Sequence, residues 1–72
     1  MKNKETLTYW VETLHIAQTN LKLSAKEHDR ILMLLIDGKA TKEQCQHAME
    51  KFYADKAFCD NVSNIVSELE NT

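Results

Sequence analysis

Apolar residues recur along this chain at three- and four-residue spacing, which predicts helix almost throughout. Leu7, Trp10, Val11, Leu14, Ala17 and Leu21 form a first stripe, and Asn3 is placed to cap a helix that starts near Lys4. Tyr9, His15 and Ile16 fall beside that stripe. At Lys22-Leu23-Ser24 the pattern resets. Ser24 followed by Glu27 has the form of a capping box, in which the hydroxyl takes an orphan amide and the glutamate reaches back, so a second helix is expected to begin there. That helix carries the densest apolar run, Ile31-Leu32-Met33-Leu34-Leu35-Ile36. A helix that is apolar all round has no face to offer water and belongs at the centre of a fold.

Gly38, the only glycine, is placed to end this segment in the left-handed region. Thr41 and Gln44 then form another capping box, and Cys45, Ala48, Met49 and Phe52 give a third helix its buried stripe, with Tyr53 beside it. The next boundary turns on Asp55. An unbroken helix would continue a heptad from Cys45 through Phe52, Cys59, Val62, Val66 and Leu69, and would set the Asp55 carboxylate on its seam. A break at 54–56 lets Asp55 cap a fourth helix instead, where its charge suits the helix dipole, and Phe58, Val62, Ile65, Val66 and Leu69 then form the buried stripe of that helix. The expected fold is therefore all-α: one domain over residues 1–72, a small compact bundle of four helices, or of three with the last kinked, joined by short loops.

Composition supports helix, with no proline and one glycine in 72 residues. Charge narrows the partners. Residues 1–42 hold seven Lys/Arg against five Asp/Glu, and residues 43–72 hold two against six, so neither half presents the basic footprint that nucleic acid requires. The longest apolar run is six residues, too short for a signal peptide core or a membrane span. Two cysteines in a chain of this kind fit a reducing compartment, and the protein is read as cytoplasmic.

Candidate chemistry is sparse. Cys45, His47 and Cys59, with His15 and His28 elsewhere, lack the CxxC or HxxxH spacing of a metal site, and Asp37 to Gln44 fails as a calcium loop because Gln44 stands where a bidentate glutamate is needed. His28 with Asp29, or His47 with Glu43 and Glu50, has no nucleophile or phosphate loop nearby. The reading is a non-enzyme with no cofactor and no metal. What remains is a surplus of large side chains: Tyr9, Trp10, Ile16, Met33, Leu34 and Tyr53 are candidates for a partner-binding surface, because aromatics and methionine are what interface cores select.

From Ser24 to Phe52 the order of parts is a capped helix, a glycine turn, a threonine cap and an amphipathic helix ending in Phe52-Tyr53. This order is similar to the small helical antitoxins that neutralise Fic-type AMP-transferring toxins. The resemblance implies a regulator that acts by binding a protein. In that family the preceding helix ends in a Ser/Thr-x-x-x-Glu-Gly motif whose glutamate obstructs ATP binding. Here Thr19 alone matches, Leu23 stands at the glutamate position, and no inhibitory residue carries over.

The expected function is protein–protein contact, as an inhibitor, an antitoxin-like regulator or an adaptor, with another protein or with itself as a homodimer. The alternative is a DNA-associated regulator built on the helix pair around Gly38, using Lys39, Lys42 and Lys51.

Overall fold

The computed structural model describes residues 2–71. They form two helices and no strand: α1 over Lys2–Ile36, 35 residues, and α2 over Lys42–Glu70, 29 residues. The expected bundle of four or three short helices is overturned. The two helices fold back on each other as a hairpin measuring 56 × 13 × 13 Å. Its radius of gyration is 16.2 Å, against about 11 Å for a compact domain of this length.

The heptad explains why neither expected break occurs. On α1, positions 7, 10, 14, 17, 21, 24, 28, 31 and 35 alternate steps of three and four without interruption, and every one is buried or half-buried. On α2, positions 45, 48, 52, 55, 59, 62, 66 and 69 do the same. Two seams of this kind pack against each other along their whole length as an antiparallel coiled coil. Breaking either helix would forfeit a stretch of that contact, and no glycine or proline favours a break. Local capping at Ser24 or Asp55 contributes about 1 kcal/mol, less than one buried seam layer.

Register follows from two cross-seam contacts. Ser24 donates a hydrogen bond to the Asp55 carboxylate, and the His28 ring stacks on Phe52 with centroids 6.2 Å apart. Residue numbers at one level therefore sum to about 79 or 80, which sets Ala17 level with Val62 and Leu21 with Cys59. These levels hold the best-covered part of the core: Ala17, Cys59, Val62 and Val66 are the buried apolar residues, with Val62 only 1% exposed.

Both helices start earlier or end later than local signals alone suggest. Asn3 already has helical backbone, so it is not the cap of α1. Threonines along α1 are accommodated by turning their hydroxyls back: Thr8, Thr13 and Thr19 each donate to the carbonyl four residues earlier, at 3.0, 2.9 and 3.0 Å.

The run Ile31–Ile36 is not central. It lies at the turn end of the hairpin, where only one face meets α2. Ile31, Leu34 and Leu35 are half-buried, whereas Leu32, Met33 and Ile36 are exposed, Ile36 to 74%. The all-round apolar segment thus keeps about half of its side chains in solvent.

The turn is built as its residues dictate. Gly38 has φ +74°, its amide donates to the Leu35 carbonyl at 3.0 Å, and the Lys39 amide donates to the Leu34 carbonyl at 2.7 Å. This pair of bonds is the Schellman closure of α1. Thr41 opens α2 with a complete capping box: its Oγ1 accepts from the Gln44 amide at 3.1 Å, and its own amide donates to Gln44 Oε1 at 2.8 Å. A Cβ at Gly38 would meet no neighbour but would be held in the left-handed region. Gly38→Ala should therefore lower stability by about 1 kcal/mol without changing the fold, read as a lower denaturant midpoint at an unchanged slope. An unchanged midpoint would remove the turn closure from the account.

Candidate functional site

Helix continuity decides which side chains face solvent. In an antiparallel pair the residues that immediately precede a seam position such as His28 or Phe52 flank one side of the hairpin, and those that follow Ile31 or Ala48 flank the other. The first side is called the front here. Its grooves confirm the assignment, since Glu27, Arg30, Gln44, His47 and Lys51 line one of them and Asn20, Leu23, Glu27 and Lys51 another.

The front divides into two halves. Near the turn it is polar, with Glu27 and Arg30 in a 2.5 Å ion pair and Lys51 3.4 Å from Asp55. The Arg30 guanidinium holds the Glu27 carboxyl below its usual range. Toward the open end it carries apolar rows beside Asn20. Steps of seven from Leu23 reach Ile16 and Tyr9, and steps of seven from Lys51 reach Phe58 and Ile65. Ile16 is 61%, Leu23 60% and Phe58 50% exposed. On the back the arrangement reverses: Leu32, Ile36, Met49 and Tyr53 are exposed toward the turn.

The six candidates from the sequence are dispersed by this geometry. Tyr9 and Ile16 lie together on the front, Tyr53 lies on the back, and Met33 lies on the outer surface of α1. Trp10 and Leu34 are half-buried, Trp10 on the seam with its ring edge-to-face against Tyr9 at 5.2 Å. Leu23 and Phe58, the centre of the front patch, were not among the candidates. Leu23 read as a helix boundary and Phe58 as part of a buried stripe. The seven-residue spacing of Tyr9, Ile16 and Leu23 was the signal that would have found the patch.

The buried polar pair is the other feature of the site. Ser24 is 3% exposed, and its hydroxyl reaches across the seam to the carboxylate of Asp55. Neither residue caps a helix. The Ser24 hydrogen bond, with help from Lys51, keeps the Asp55 carboxyl below its ordinary value against the opposing effect of desolvation. A carboxylate in the middle of an apolar seam is tolerated because it is met by a donor at its own level.

Of the candidate polar sets, His47 stands with Glu43 and Glu50 along one shallow groove of α2, and the cysteines stay apart. His28 lies on the seam against Phe52, and His47 lies in the polar front groove. Both cysteines are on α2, fourteen residues or about 21 Å apart along the helix, and both are free thiols. Among the described residues no group of three His, Cys, Asp or Glu stands close enough to hold a metal, and no helix is long and apolar enough to cross a membrane.

The fold and its exposed faces define the class: an antiparallel two-helix coiled coil with an apolar patch on either side of its seam. No protein-family model, no curated protein and no solved structure matches the chain.

The polar pair makes stability sensitive to acid. A carboxyl whose folded pKa lies below its unfolded value near 3.8 contributes stability above that value and loses it as pH falls through the folded pKa. Melting temperature should therefore drop as pH falls below about 4, and the drop should shrink in Ser24→Ala, which lacks the donor. Equal acid sensitivity in the two proteins would show that the hydrogen bond does not hold the Asp55 charge.

Proposed function

We propose that this protein acts by binding protein, without enzymatic activity, through the apolar faces that flank its seam. One observation carries the reading: Tyr9, Ile16, Leu23, Phe58, Leu32, Ile36, Met49 and Tyr53 are large apolar side chains in solvent, and the heptad sets them on two flanks of the hairpin rather than at random. Grouped exposure of this kind marks a contact surface. An amphipathic helix pair offers such a surface in the manner of helical inhibitors and adaptors, which present rows spaced by a heptad to a partner helix or groove. The two thiols favour a reducing compartment, and we place the protein in the cytoplasm.

Charge makes duplex binding the weaker reading. Of the three lysines it would use, Lys51 is engaged with Asp55, and the acids Glu43 and Glu50 line a groove on the same helix.

The test is site-specific photo-cross-linking in cells that produce the protein, with a benzophenone side chain placed at Leu23, at Tyr53 or at the exposed polar position Glu50. Covalent protein adducts are expected from Leu23 or Tyr53 and not from Glu50. Adducts from none of them, or equally from Glu50, would overturn the reading.

A further inference from the structure

Resting on the protein-binding reading above, we propose that the front patch is occupied by a second copy of this chain, giving a four-helix bundle with a two-fold axis along the hairpin. Surface area is the first argument. The hairpin exposes 5762 Å², whereas a folded chain of 8.3 kDa ordinarily exposes about 4,600 Å². The excess, about 1,200 Å² per copy, exceeds the roughly 800 Å² that each partner gives up in a standard interface and falls in the range of obligate homodimers.

The second argument is where the core is thin. The hairpin's own seam spends one of its layers on Ser24 and Asp55, and only four apolar residues are buried among those described. A chain this short needs further burial in order to stay folded. A second copy supplies that burial whenever the first is present, and a partner of different sequence does not.

The third argument is the match of the face with itself. Rotation by 180° about the long axis lays α1 of one copy over α2 of the other at the same level. By the register above, Leu23 is level with residues 56 and 57, so it comes down beside Phe58 of the second copy, and Ile16 comes down near Ile65. Toward the turn the same rotation brings the Glu27–Arg30 pair of one copy over Lys51 of the other, so the charged half adds no net attraction. The self-complementary part is the row of Leu23, Ile16, Phe58 and Ile65, as a two-fold requires. The back patch, with its apolar half at the other end, stays uncovered.

Sedimentation equilibrium from micromolar to millimolar chain concentration tests this. The wild type is expected at twice 8.3 kDa. Leu23→Lys and Phe58→Lys, both at half-exposed or exposed positions, should weaken the dimer at least about tenfold while circular dichroism stays helical. Leu32→Lys on the back should leave the mass unchanged. A wild type that is monomeric throughout would overturn the proposal, as would a mass that climbs without limit or a dimer that dissociates in Leu32→Lys but not in Leu23→Lys. If a front variant fails to fold, the wild-type mass and the Leu32→Lys comparison still decide. A monomer whose Leu23 cross-links to a different protein would overturn the second copy alone, whereas a monomer with no adduct at either patch would remove the protein-binding reading as well.

Discussion

The hydrogen bond from Ser24 to Asp55 is the constraint on which the rest of this structure depends. A two-helix coiled coil has few ways to choose its register, because apolar seam residues pack nearly as well one heptad along. A carboxylate on the seam changes that. It is tolerated only at the level where a donor faces it, so the Ser24–Asp55 layer fixes α1 against α2, and the Schellman turn at Gly38 closes the hairpin at a length consistent with that level. The hydrogen bond also resolves the two places where each helix has a local reason to stop. Ser24 and Asp55 each find in the other the partner that a helix cap would have supplied.

The proposed contact faces are what this arrangement leaves uncovered. Two long helices bury one seam each, so apolar residues away from the seam are wholly or partly presented to solvent along a straight rod. The chain places such residues on opposite flanks, Tyr9, Ile16, Leu23 and Phe58 on the front, Leu32, Ile36, Met49 and Tyr53 on the back. Charged pairs occupy the remaining halves. A rod divided in this way has two separate apolar surfaces, proposed above for self-pairing and for another partner, and the grooves among its described residues are shallow.

The sequence carried the ends of the turn clearly and the middles of the helices poorly. Gly38 and the Thr41–Gln44 box depend on residues within four positions of each other, and both are found as expected. Ser24 and Asp55 have the same local form, yet each is overruled by a residue thirty-one positions away, which no local pattern reveals. The heptad through Asp55 is visible in the sequence, but a lone carboxylate on a seam is unfavourable, and only the hairpin register identifies its serine partner. The run Ile31–Ile36 misled for a related reason. Six apolar residues suggest a centre, but centrality requires elements on several sides, and a chain that makes only two helices has none to supply. Of the candidate contact residues, Tyr9, Ile16, Met33 and Tyr53 are exposed, while Leu23 and Phe58 were hidden by the breaks assumed on either side of them.

Continuity of α1 is the claim beneath all of this, and a single distance tests it most directly. Spin labels at Glu5 and Ile36, in protein diluted with unlabelled chain so that only intramolecular pairs are seen, report the length of the helix by pulsed electron resonance. Thirty-one residues of unbroken α-helix span about 46 Å, and a narrow distribution near that value is the expected result. A distance of about 25 Å or less, as two helices folded back at Ser24 would give, would contradict the hairpin, its register and the faces derived from it.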